Sequence, residues 1–200
     1  MSANGADSRG LLRLGVLGSG RGSNLEAIAA AIASGRLEAR IVLVFADTPG
    51  AGICEVARRW GIPLEVIPVS AYRTRLEQPI EEGVAVRLAA ERVDWVVLAG
   101  YMRVVKKPLL EAFPGRILNM HPSLLPQFPG REAWKQALSA GVSITGCTVH
   151  RVDAGLDTGP VLGQREVPVM PGDTPESLHA RIQAAEHVLY PEVLRSLFSA

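Results

Sequence analysis

Residues 11–35 read LLRLGVLGSGRGSNLEAIAAAIASG: a short apolar run, a glycine turn, then apolar residues at helical spacing. The run from Leu11 to Leu17 is too short for a helix and is apolar on both sides, as a strand covered on both faces must be. Beyond the turn, Leu25, Ile28 and Ile32 recur on one helical face. The alternation continues with ARIVLVFAD (39–47) before AGICEVARRWG (51–61), and with IPLEVIPV (62–69) before a polar segment and a helix ending near Glu91. DWVVLAG (94–100) then precedes a short helix and RILNMHP (116–122). Strands joined by helices predict a doubly wound α/β fold, a mostly parallel sheet with right-handed crossovers. After about Gly141 the pattern changes to two alternating runs, VSITGCTVHRVD and PVLGQREVPV, separated by AGLDTG. These predict an antiparallel C-terminal strand pair on the same sheet. Thr174 is placed to cap a last helix with Pro175 in its first turn, and Leu178, Ile182, Ala185 and Leu189 fall on its apolar face.

The whole chain has 200 residues, 48% of them hydrophobic and 20% charged, which suits one globular domain and excludes a disordered polymer. Residues 1–10 are polar and without period, so a disordered N-terminal extension is expected there, followed by a single domain over residues 11–200. A net charge of +1 provides no global field for nucleic acid or an anionic membrane, so any anion must be held locally. The two cysteines, Cys54 and Cys147, form no CxxC or Cys/His array, which argues against a disulfide scaffold or a structural zinc module. Without a signal core or a spanning apolar stretch, the expectation is a cytoplasmic protein.

Four features carry chemistry. The turn GSGRGSN (18–24) opens a helix, and its free amides can face a phosphate; alternatively Ser23 and Glu26 form a capping box and the glycines serve only the turn. A dinucleotide fingerprint fails by one position, because Gly22 arrives early and Ser23 stands where the third glycine belongs. Asp47 at the end of the second strand keeps that reading open as a rival. A P-loop lysine is missing. The run RILNMHPSLLPQFPG (116–130) ends a strand in Asn119 and His121, two residues apart and therefore on one side, at the carboxyl edge where ligands bind. In HRVDAGLDTGP (150–160), Asp153 and Asp157 lie beside Gly155 and Gly159; the loop can bring a carboxylate to an imidazole, or its aspartates can simply favour the turn. The segment LAGYMRVVKKP (98–108) offers Tyr101, Met102, Val104 and Val105 as an apolar slot beside a basic cluster of Arg103, Lys106 and Lys107; packing and a solvated basic face are the alternative. No nucleophile elbow or HExxH helix is present, which leaves direct group transfer without a metal.

Taken in order, GSGRGSNLEAI, VVLAGYMR, ILNMHPSLLP with FPG, HRVDAGLDTGPVL and IQAAEHVLYP resemble the glycinamide ribonucleotide formyltransferases of the folate-dependent formyltransferase family, from about Leu14 to Pro191. The resemblance implies a formyltransferase-like Rossmann-type fold. It also implies transfer of formyl from the co-substrate 10-formyltetrahydrofolate to the amine of glycinamide ribonucleotide in de novo purine biosynthesis, with no metal. Carried over by position, it makes Asn119, His121 and Asp157 catalytic, and gives the ribonucleotide Gly22, Ser23, Asn24, Gln183 and Glu186. Folate receives Arg75, Tyr101, Met102, Arg103, Val104 and Val105. Partners are then small molecules, without nucleic acid or membrane, in a monomer or homodimer. Formyltetrahydrofolate deformylase and methionyl-tRNA formyltransferase are rivals that usually carry a further domain, and a dinucleotide-binding domain is the rival outside the group. The segment REAWKQAL (131–138), with Arg131, Glu132 and Trp134, departs from the histidine-containing stretch of many relatives.

Overall fold

The computed structural model describes residues 10–198; the extension expected over residues 1–10 lies, but for Gly10, outside them. The elements run β1 (Leu12–Gly18), α1 (Ser23–Ala33), β2 (Ala39–Ala46), α2 (Gly52–Arg59), β3 (Leu64–Val66) and α3 (Gln78–Ala90). They continue with β4 (Trp95–Leu98), α4 (Lys107–Ala112), β5 (Ile117–His121), α5 (Ala133–Ser139), β6 (Ile144–Arg151), β7 (Val161–Pro168) and α6 (Pro175–Phe198). The seven strands form one sheet in the order β3-β2-β1-β4-β5-β6-β7. β1 to β5 pair in parallel, and β6 and β7 join in antiparallel fashion, as the change of pattern near Gly141 predicts.

Alternation along the strands feeds two apolar layers. Leu14 and Val16 of β1 pack with α1, α2 and α6, while Leu17 faces the layer built with α3 and α4. In α6, Leu178, Ile182 and Leu189 are buried on the sheet, as their spacing predicts, with Ala185 packed beside them. Its start is a reciprocal cap: Ser177 N–H donates to Thr174 Oγ1 at 3.2 Å, and Thr174 N–H donates to Ser177 Oγ at 3.0 Å.

Two elements differ from expectation. The strand read over 62–69 pairs only at Leu64–Val66, because Pro63 and Pro68 lack the N–H that a ladder needs. Helix α5 was not anticipated; it buries Ala133 and Ala137 and packs Trp134 and Leu138 on the core, but seven residues are too few for a helical period to stand out in sequence.

Tyr190 ties the last helix to the centre of the sheet. Its ring is fully buried, and its hydroxyl lies 3.1 Å from both the Leu98 carbonyl, at the end of β4, and the Leu118 carbonyl within β5. Tyr190→Phe should therefore lose about 1–2 kcal/mol, the usual cost of removing a buried hydrogen-bonding group, with an unchanged denaturant slope in urea unfolding. An unchanged midpoint would show that the hydroxyl contributes nothing.

Candidate active site

Strand order reverses between β1 and β4, and the crevice beyond their carboxyl ends receives three loops: 18–22, 99–106 and 122–132. In the first, Gly22 adopts φ 82°, a left-handed conformation that glycine accepts at little cost, and an added Cβ would lie 2.7 Å from the Ile53 Cα. Gly22 is the N-cap of α1, and no side chain caps the helix. The Ser23/Glu26 capping box does not form, since the Glu26 carboxylate instead pairs with Arg59. The first helical bond is Glu26 N–H to Gly22 C=O at 2.9 Å, so the amides of residues 23–25 have no partner within the helix.

Helix α6 closes over this turn. Asn24 Nδ2 donates to Glu186 Oε2 at 3.0 Å, and Arg21 Nη2 donates to Gln183 Oε1 at 2.8 Å. Gly22, Ser23, Asn24, Gln183 and Glu186 thus come together, although their sequence positions lie at opposite ends of the chain. Burial pushes the Glu186 carboxyl up to about 7 against the opposing hydrogen bond from Asn24. The Asn24 Oδ1 atom is buried without a partner.

The second cluster stands where β5 meets β6. Asn119 pairs with His150 in the ladder and His121 with Thr148, so their side chains share one face. Asp157 reaches them from the β6–β7 loop. One carboxylate oxygen is 3.4 Å from His121 Nδ1, and the other is 3.6 Å from His150 Nε2. The first oxygen also accepts the Gly130 N–H at 2.8 Å. Asp157 itself has φ 55°, a left-handed conformation costing about 1–2 kcal/mol outside glycine, though aspartate is among the residues that tolerate it best. Its loop is held close to β6 by Gly159, where an added Cβ would lie 1.9 Å from the Arg151 carbonyl oxygen.

The three residues read as catalytic therefore converge, but through a fourth. Asn119 Nδ2 lies 3.2 Å from His150 Nε2 rather than on His121, and His121 Nε2 is 2.9 Å from the Phe128 carbonyl. His150 was missed as a site residue because its place opposite Asn119 depends on antiparallel register; the HRVD stretch beside an acidic turn was the available signal. Burial lowers the His121 pKa and outweighs the Phe128 carbonyl and Asp157, which favour the cation. Desolvation raises Asp157, but hydrogen bonds from His150 and Gly130, together with the two imidazoles, bring it below the usual carboxylate value. Near neutral pH the resting pair is thus an ionised Asp157 beside an uncharged His121.

A cavity of about 550 Å³ adjoins the cluster, within the range of small-molecule sites. Asn119, His121, His150 and Asp157 form one wall. Tyr101, Met102, Arg103, Val104 and Val105 form another, with Trp134 and Arg131 at the edge. Arg75 is not among the lining residues; its guanidinium lies 4.1 Å above the Tyr72 ring. The Arg103 Nε donates to Asp47 Oδ2 at 2.7 Å, and its Nη1 bonds the carbonyls of Tyr72 and Arg75. Asp47 is consequently engaged with a cation, which removes the acid on which the dinucleotide reading depended. Among the described residues, no group of three or more His, Cys, Asp or Glu is arranged to hold a metal ion, and no helix is long and apolar enough to cross a membrane.

Comparison with known proteins gives the family. The formyl transferase family matches residues 12–194. The phosphoribosylglycinamide formyltransferase of Bacillus subtilis (strain 168) is 39% identical over 185 residues, covering 92% of this chain and 94% of that protein. The trifunctional purine biosynthetic protein adenosine-3 of Drosophila pseudoobscura pseudoobscura is 43% identical over 189 residues; these are 94% of this chain but 14% of that much longer relative. Among solved structures, glycinamide ribonucleotide transformylase 1 from Symbiobacterium toebii superposes with a TM-score of 0.88 at 50% identity, over 92% of this chain and 86% of that one. Phosphoribosylglycinamide formyltransferase from Bacillus halodurans gives 0.88 at 43% identity, over 94% and 95%. With the match running from β1 into α6, the chain belongs to the formyl transferase family.

Proposed function

We propose that this chain, acting through one domain over residues 11–200, moves the formyl group of 10-formyltetrahydrofolate to the amine of glycinamide ribonucleotide in purine biosynthesis. The observation that carries the reading is the Asp157 carboxylate between two imidazoles at the wall of a ligand-sized cavity, in a chain whose full-length relatives bear that enzyme's name. Tyr101 to Val105, with Arg75, hold the formyl folate; Gly22, Ser23, Asn24, Gln183 and Glu186 hold the ribonucleotide.

In the reaction the amine nitrogen forms a bond to the formyl carbon, the bond from that carbon to the folate nitrogen breaks, and the amine loses a proton that the departing nitrogen gains. Negative charge develops on the formyl oxygen, where a hydrogen bond strengthens most in the transition state. The Asn119 amide has two N–H groups; with one turned to His150, the other is available for that oxygen. His121 Nε2 is committed to the Phe128 carbonyl, so Nδ1 is the atom that receives the proton. Asp157 then supplies the counter-charge to the imidazolium and keeps the ring in place.

The direct test is absorbance of the folate while both substrates turn over. Formate release without formylated ribonucleotide would indicate a deformylase instead. His121→Ala and Asp157→Asn should each lower turnover by at least about a hundredfold while remaining folded by circular dichroism. Wild-type turnover in either variant would remove that residue from the mechanism. An NMR titration should place the His121 midpoint below about 6.5, the value of a free imidazole. In Asp157→Asn the midpoint should fall further, because the carboxylate that favours the cation is gone; a rise would reverse the assigned electrostatics. Ser23→Ala and Asn24→Ala should raise KM for the ribonucleotide more than KM for formyl folate, whereas equal effects would argue against a phosphate at the turn.

A further inference from the structure

Arg21 sits between Gly20 and Gly22 with a fixed backbone and an exposed side chain. The Ile53 N–H donates to the Gly20 carbonyl at 3.0 Å, and Gly52 packs so close that an added Cβ would lie 2.8 Å from the Arg21 Cα. The base of the arginine is therefore held against the start of α2. Among the described residues its guanidinium is held only by the neutral Gln183 side chain of α6, at 2.8 Å. No carboxylate among the described residues pairs with it, so its charge is free to meet an anion.

The surroundings favour an anion. The partnerless amides of residues 23–25 begin one residue beyond Gly22, where the positive end of the α1 dipole lies. His187 Nε2, one turn along α6 from Gln183, is buried without a partner among the described residues and can serve as a donor. Burial lowers the pKa values of His179 and His187, and the charge of Arg21 lowers both further, so its field reaches along the inner side of α6 uncancelled. An exposed guanidinium resting on an amide oxygen loses little by exchanging it for a doubly charged phosphate, which its planar fork can bind through two N–H groups.

We infer that Arg21 is a further phosphate-binding residue of the ribonucleotide site, resting on Gln183 in the free protein and passing to the phosphate when the ribonucleotide binds. This rests on the proposed function and adds to it a residue that selects the phosphorylated substrate. The transfer also releases the Gln183 amide to meet the ribonucleotide, so one hydrogen bond is exchanged as two are formed.

The test compares wild type, Arg21→Gln and Arg21→Lys with glycinamide ribonucleotide and with the dephosphorylated ribonucleoside, in the presence of saturating formyl folate. Arg21→Gln should raise KM for the ribonucleotide by about ten- to a hundredfold, the range for one hydrogen bond to a charged group, with KM for formyl folate moving less than about threefold. Arg21→Lys, which keeps the charge without the fork, should fall between. The kcat/KM of Arg21→Gln should also depend less steeply on salt. With the ribonucleoside, Arg21→Gln and wild type should be equal, since the group that Arg21 meets is absent. A wild-type KM in Arg21→Gln, or the same penalty with and without phosphate, would overturn the assignment while leaving formyl transfer intact. Failure of the wild type to formylate the ribonucleotide would instead overturn the parent reading, and this inference with it.

Discussion

Between β1 and β4 the chain reverses the direction in which it lays down strands, and the functional groups all depend on the opening this creates. Parallel strands need long crossovers, so helices occupy both faces and leave only the strand ends free for side chains that meet a ligand. On one side of the reversal the sheet grows towards β3, and on the other towards β7. The glycine turn after β1, the 101–105 wall after β4 and the Asn119–His121 pair at the end of β5 thus become neighbours without any of them leaving its own strand. The antiparallel pair then adds what a purely parallel sheet lacks: His150 in register with Asn119, and a short loop that returns Asp157 to the same edge.

The cluster of Asn119, His121, His150 and Asp157 holds opposing tendencies in balance. An imidazole in a poorly hydrated setting resists charge, while a carboxylate and a carbonyl directed at its two nitrogens invite it. Such a ring is poised to change protonation state during a reaction and to return afterwards. The position of Asp157 is not free, since its backbone adopts a conformation that few residues tolerate and its carboxylate is also fixed by the Gly130 amide. The acid is thus held in place without a ligand, and in the proposed reaction that is the condition under which electrostatic stabilisation is most effective.

Much of this architecture is legible along the chain because the relevant signals are local. β1, β2, β4 and β5 are continuous apolar runs with punctuating turns, and Thr174-Pro175 marks the start of α6 with residues whose capping chemistry is specific. Asn119 and His121 are legible for a related reason: polar side chains at the end of an otherwise apolar strand stand out. What escapes a sequence reading is whatever depends on partners far away. Ser23 and Glu26 have the spacing of a capping box, yet Glu26 goes to Arg59 and Gly22 takes the cap position. Arg103 reads as one charge of a basic cluster, although its partner Asp47 belongs to the end of another strand. His150 acquires its meaning only from the register across β5 and β6.

The contacts of Asn24 with Glu186 and of Arg21 with Gln183 each join residues 162 positions apart. During synthesis on a ribosome the first partner of each pair emerges long before the second, and at about 5–20 residues per second the interval is roughly 10–30 s. Through that time the early strand–turn–helix unit can form its local bonds, but its mouth has no roof. A ligand held by both the turn and α6, as proposed for the ribonucleotide, can therefore stabilise only a molecule whose final helix has already docked.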